Sequence, residues 1–150
     1  MALITITVGI AIPTLSGSTA RNSVWTASEM IGSQIRQARL KAISRNTRFR
    51  VRFDCPAAGQ FRVLQVTGNV AIDNAADRCD DTQQYDSGIY QMPTSVSYGN
   101  SPPLLEVNGR GTFSSTAGIP TTITVTHSAS GTTSRALTMS ATGQITFEVY

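Results

Sequence analysis

Four groups of residues in this 150-residue chain have the types and spacing for chemistry. His127 is the only histidine, so a serine triad would have to use it, and it stands at a strand end beside S-A-S-G (128–131). A lone imidazole there reads as a surface side chain, and no credible active site results. Cys55 and Cys79 are the only cysteines, with 23 residues between them and no CxxC. One histidine is too few to complete a zinc site with them. In an oxidising compartment the pair closes one disulfide, pinning the acidic loop to the preceding hairpin and contributing roughly 3 kcal/mol in the chain-entropy model. The alternative is two separate buried thiols. Asp73, Asp77, Asp80, Asp81 and Asp86 offer oxygen ligands for calcium, but their spacing misses the EF-hand pattern and no glutamate follows. A solvated loop, or a partner for arginines, is the expected role. Asn108-Gly109-Arg110-Gly111 has the look of a phosphate loop, yet lacks the Lys-Ser/Thr sequel and a following helix, so it reads as a turn.

The fourth group is the sharpest. Arg36, Arg39, Lys41, Arg45, Arg48, Arg50 and Arg52 place seven of the twelve bases within 17 residues. The charge is strongly segregated: residues 21–62 carry nine bases against Glu29 and Asp54, a net +7. Residues 73–86 carry five acids against Arg78, a net −4. Such a chain can dock basic face to acidic loop on another subunit, or bind a polyanion. Subunit contact, or compensation of a helix dipole, is the reading that the composition favours. DNA backbone and anionic lipid head groups are the competing partners. Aromatic platforms for bases are scarce beside the patch: only Phe49 and Phe53, both expected to point inward.

Composition agrees with a binding or structural module. Charged residues make up 14%, well under the usual ~25%, and 36 serines and threonines fill the gap. Hydrophobics at 40% suffice for one modest core, which excludes a disordered chain. No cofactor and no small-molecule substrate is implied.

These side chains must be positioned by a helix followed by strands. Val24, Ala27, Ile31, Ile35, Ala38 and Ala42 step by three and four, one apolar helical stripe, and no proline interrupts residues 14–55. A helix reaching Arg45 from the start is on the order of 65 Å long. Its opening is apolar: Leu3, Ile4, Ile6, Val8, Ile10 and Ile12, then Pro13, which is expected to kink or locally melt it. That stretch is too short to span a membrane by itself and lacks the charged n-region of a signal peptide. T-R-F-R-V-R-F-D (47–54) alternates, with Phe49, Val51 and Phe53 on one face and Arg48, Arg50 and Arg52 on a solvent face. Residues 60–66 return as a hairpin. Residues 67–103 read as a long variable loop with short strands at 70–72, 89–91 and 95–98. Strands follow at 104–107, 122–126, 135–139 and 143–149, the threonines of 122–126 on the wet face. The fold class is therefore α+β: a long N-terminal helix on a small antiparallel β-sheet domain.

G-I-A-I-P-T-L (9–15), A-R-L-K-A-I-S-R-N-T-R-F-R-V-R-F (38–53), F-S-S-T-A-G-I-P-T-T-I-T-V-T-H (113–127) and S-R-A-L-T-M-S-A-T-G-Q-I-T-F (134–147) carry a resemblance. In that order they resemble the GspH/FimT family of minor pilins and pseudopilins, within the type IV pilin superfamily. The likeness implies residues 1–15 as a membrane and filament-core segment, built on Leu3, Ile4, Ile6, Val8, Ile10, Ile12 and Pro13. Residues 16–46 become the amphipathic helix, and 47–150 a β-rich part with a disulfide-bounded variable loop at 55–103. It implies a non-catalytic subunit that primes, caps or joins a type IV pilus or type II secretion pseudopilus. Other pilin subunits would be its partners. It would reside in the bacterial inner membrane first, with the globular part periplasmic, and then in a filament. The leader glycine, the aromatic after it and the glutamate of the superfamily are not in this sequence, so Met1 is expected to be an internal methionine or a trimmed end. A DNA-binding minor pilin of natural transformation is the alternative. Its C-terminal arginines have no counterpart in Gly143-Gln144-Ile145-Thr146, which counts against DNA.

Overall fold

The structure, a computed structural model, describes all residues except 1, 76, 81 and 129–132, and residues 2–17 by backbone alone. Helix α1 (Ala2–Arg45) is continuous, so the local melting expected at Pro13 does not occur. Side chains Leu3, Ile4, Ile6, Val8, Ile10, Ile12 and Pro13 lie outside the described ones. From Ala20 onward the apolar stripe is buried as the spacing requires, with Val24, Ala27, Ile31, Ile35, Ala38 and Ala42 no more than 2% exposed. Asn46 ends the helix at a positive φ of 49°, the left-handed conformation that a C-terminal asparagine tolerates.

The stripe packs on two antiparallel sheets. One has the order β3 (Tyr90–Gln91), β2 (Gln60–Gln65), β1 (Phe49–Phe53), β5 (Leu105–Val107), β6 (Phe113–Ser115). The other runs β4 (Val96–Tyr98), β7 (Thr121–His127), β8 (Ser134–Met139), β9 (Ile145–Val149). Between helix and sheets lies one core, in which Phe49, Val51, Phe61, Leu105, Ile123, Val125, Leu137 and Met139 meet the α1 stripe. Ile123 and Val125 point into it while Thr122 stays on the wet face, as their alternation requires. The architecture is the expected α+β one, with the β part divided into two sheets.

Two expectations are corrected. Residues 70–72 are helical, not extended, and belong to α2 (Val70–Asp73). Asn69 starts that turn by accepting the Ala71 N–H on its side chain, a cap that outweighs the strand propensity of Val70 and Ile72. Strand β6, which the sequence reading omits, forms because Phe113 seats in the core opposite Val107.

Small residues set how closely the layers approach. A Cβ on Gly32 would lie 3.1 Å from the Phe147 ring, so α1 rides directly on β9 there. Gly111 has φ +78° and sits against Ile43, which lets the 108–112 turn fold under the helix end. Its partner is Asn108, whose side-chain oxygen accepts the Arg110 and Thr112 N–H groups, so this loop is a turn in the structure as well.

Ile31→Ala or Ile35→Ala removes atoms from the buried helix stripe that packs on both sheets. Each is expected to cost about 2–5 kcal/mol and lower Tm by roughly 5–15 °C. Leu40→Ala, on the exposed side of the same helix, changes stability by less than about 0.5 kcal/mol. Thermal unfolding followed by circular dichroism checks the contrast.

Candidate functional site

Alternation along β1 sends Phe49 and Val51 to the core and hence Arg50 and Arg52 to the opposite face of the five-stranded sheet. The register places Arg62 beside Arg52 and Leu64 beside Arg50. This face was expected to meet solvent; it is instead covered by the segment between β2 and β3. A disulfide joins Cys79 in that segment to Cys55 at the end of β1, with Cα atoms 5.3 Å apart. Cys55, Cys79 and Leu64 form a small apolar cluster under the cover.

Arginines do most of the fastening. Arg62, 2% exposed, donates from Nη1 to the Cys79 carbonyl and from Nε and Nη2 to the Ser87 carbonyl. Arg78, equally buried, holds the Asp86 carboxylate with Nη1 at 2.6 Å and Nη2 at 3.0 Å, and donates to the Gln65 carbonyl. Arg50 donates to Glu106 Oε1 at 3.2 and 2.9 Å, to the Asp73 carbonyl and to Asn74 Oδ1. Two acids of the loop are therefore partners of this network. Burial alone would raise the Asp86 pKa, but the Arg78 guanidinium and the N–H groups of Gln83 and Gln65 outweigh it and hold the carboxyl below its ordinary value. Asp73 is likewise pushed up by burial and pulled further down by the Thr67 N–H and hydroxyl, the Gly68 N–H and the charge of Arg50. Asp77 and Asp80 are exposed, and Asp81 lies outside the described residues. Among the described residues no three His, Cys, Asp or Glu side chains converge on a metal position.

The seven bases of the sequence patch are spread over different surroundings. Arg52 is half-buried, its Nη1 enclosed and without a hydrogen bond, and its pKa is lowered by burial and then by the charges of Arg50 and Arg78. Arg39 donates from Nε to the Gly111 carbonyl, tying the helix to the 108–112 turn. Arg45 stacks on Tyr85, 3.8 Å from the ring centroid. Lys41 is half-buried, while Arg36 and Arg48 are exposed. His127, half-buried on β7, has its Nδ1 enclosed without a hydrogen bond.

One cluster escaped the sequence reading. Arg135 on β8 lies between two rings, 3.7 Å from the centroid of Trp25 and 4.1 Å from that of Phe147. Its Nη1 also donates to Ser28 Oγ at 2.7 Å and to Glu29 Oε1 at 3.1 Å. Residues more than 100 positions apart meet here, and no local pattern marks them. The outer part of Trp25 remains exposed. On the far side, Tyr98 and Asp54 line an open cleft of about 770 Å3. Burial and the nearby Asp54 charge raise the Tyr98 phenol above its ordinary value.

Because both loop carboxylates have lowered pKa values, their contribution to stability is complete above the unfolded carboxylate range of about 4 and is lost as pH falls through the folded values below it. Melting between pH 7 and 5 should show no loss from this source, with a steep loss below about pH 4. Asp86→Asn removes the buried carboxylate charge that Arg78 holds and is expected to cost about 3–5 kcal/mol at neutral pH while flattening the acid limb of the profile.

The family model described as type II transport protein GspH matches residues 27–143. A comparison with curated proteins gives no match. Among solved structures, the minor pseudopilin EpsH from the type 2 secretion system of Vibrio cholerae superposes with a TM-score of 0.60 at 16% identity, covering 85% of this chain and 97% of that one. The type IV minor pilin FimU of Pseudomonas aeruginosa PAO1 gives a TM-score of 0.56 at 16% identity, covering 87% and 91%. At such identities the likeness is one of fold: a long helix on antiparallel sheets. The family match spans well over half of the sequence, and the chain belongs to the GspH family.

Proposed function

We propose that the chain is a non-catalytic minor subunit of a type IV pilus or type II secretion pseudopilus, acting through contacts with other subunits to prime, cap or extend the filament. The observation that carries this reading is the family match over residues 27–143, and the fold supports it. Helix α1 has 44 residues, and its described buried stripe begins only at Ala20. On this reading residues 1–15 sit in the inner membrane before assembly and in the filament core after it, and Leu3, Ile4, Ile6, Val8, Ile10 and Ile12 pack on neighbouring helices. Among the described residues no helix is long and apolar enough to cross a membrane, so the membrane position rests on family membership. Residues 16–46 and 47–150 then form the part that meets the periplasm or the cell exterior.

DNA uptake is the weaker alternative. Arg50 is committed to Glu106, Asp73 and Asn74, and Arg39 to Gly111, so the sequence patch does not form one open cationic face. Of the patch, Arg36, Arg45 and Arg48 are outward, and Arg45 is stacked on Tyr85, too few free bases for a phosphate track.

Deleting the gene in its own cell should reduce filament number or secretion, and the full chain supplied in trans should restore it. In sheared-filament pellets the chain should be present as a minor component. Unchanged filaments and secretion after deletion would sink the assembly reading. At about 0.15 M salt the protein should give no gel shift with duplex DNA, and Arg48→Ala should change nothing; a shift that fades steeply with salt would favour uptake instead.

A further inference from the structure

Each sheet has two outer strands, and they are not alike. Strands β3, β4 and β6 are two or three residues long, a common way of blunting an edge. Strand β9 has five residues, Ile145-Thr-Phe-Glu-Val149, without lysine, proline or glycine. The hydrogen-bonding phase shows which backbone groups it leaves open. Tyr150 and Ser134 exchange N–H···O bonds, and the Ser140 N–H donates to the Gln144 carbonyl. In an antiparallel ladder this phase turns Thr146 and Glu148 toward β8 and turns the N–H and C=O groups of Ile145, Phe147 and Val149 outward. Those outward groups have no partner among the described residues.

Exposed apolar side chains accompany this row. Trp25 stacks on the Arg135 guanidinium, whose other face meets Phe147 of β9, yet is 47% exposed, and Val149 on the strand itself is 51% exposed. A rigid tryptophan backed by arginine next to an open backbone row is the chemistry of a binding hot spot for an extended peptide. Charge narrows the occupant: Glu29 is already ion-paired with Arg135, but Glu148 is exposed on the strand with no cation beside it among the described residues, which favours a basic residue and disfavours an acid opposite it on the incoming strand. A second copy is the wrong occupant. Antiparallel pairing of two β9 strands puts the two-fold axis normal to the sheet and sets the two α1 helices antiparallel, which subunits sharing one membrane or filament cannot adopt.

We propose that the β9 edge and Trp25 are the docking surface for an extended strand of a different pilin-class subunit, which adds to the four-stranded sheet as a fifth strand. This rests on the assembly role given above. The incoming strand satisfies the outward groups of Ile145, Phe147 and Val149, lays alternate apolar side chains against Trp25 and Val149, and presents a basic or neutral residue to Glu148.

The test uses the full chain in its own cells with a photo-cross-linking residue at Tyr150 and, as a control, at Val70 on the disulfide-held segment. Position 150 should give an adduct whose peptides map, by mass spectrometry, to a β-strand of another pilin-class subunit, and position 70 should not. Val149→Pro removes only an outward N–H and leaves the β8 ladder intact, so it should lower the adduct tenfold or more. Val149→Lys adds a natural edge-protecting charge and should do the same; it decides the matter if the proline variant melts below the parent. An adduct that maps to a partner's helix, that survives both variants, or that never forms in a chain pelleting with filaments overturns the proposal. Adduct formation in a chain absent from the filament pellet supports the edge and removes the filament role instead.

Discussion

Everything in this molecule depends on one helix face serving two sheets. Six residues of α1, spread over about five turns from Val24 to Ala42, contact β1 and β5 on one side and β4, β7 and β8 on the other. The two sheets also touch directly, as where Phe53 meets Tyr98 edge-on and the Phe113 N–H bonds the Ala141 carbonyl, but the helix stripe covers the apolar face of each. Alanine at positions 27, 38 and 42, with glycine at 32, keeps the helix axis close to both, and isoleucine at 31 and 35 fills the gap between them. The small residues are therefore as necessary as the large ones.

The second face of the five-stranded sheet is organised differently. The helix side is sealed by apolar area, whereas the opposite side is sealed by guanidinium groups that reach a covering segment of chain. Arg62 and Arg78 are buried, which is affordable only because each is saturated by carbonyl or carboxylate oxygens. The basic stretch of the sequence meets the acidic one through main-chain oxygens and Asn74, which Arg50 and Arg62 hold, while the ion pairs run from Arg50 to Glu106 and, within the acidic stretch itself, from Arg78 to Asp86.

The helix and the later strands were legible because each writes a period into the sequence: threes and fours through Ala42, twos through Thr47–Asp54 and Thr122–Thr126. Family resemblance was legible for a related reason, since it resides in the same helix-to-strand junction. The covered arginine face was half legible. Alternation separates Arg50 and Arg52 from Phe49 and Val51, and the two cysteines point to a loop pinned to the hairpin, but no local pattern says that this loop buries the arginine face instead of leaving it to solvent. Strand β6 escaped because three residues give no period, and α2 because a capping asparagine decided its conformation against the propensities of Val70 and Ile72. The Trp25–Arg135–Phe147 stack was illegible, being made wholly by tertiary packing.

The covering segment is held partly by its main chain. Arg62 reads the carbonyls of Cys79 and Ser87, and Arg50 that of Asp73; the segment's side-chain anchors are Arg78, which reaches back to the Gln65 carbonyl of β2, with Asn69, Asp73, Asn74, Cys79, Asp86 and Ser87. Oxygen atoms of the backbone are the same whatever residue carries them. The remaining positions of the segment are consequently free to drift in sequence without loosening the attachment, so the arginine frame works as a socket for interchangeable surface. A foreign peptide grafted between the anchors would be displayed on the sheet in a fixed position.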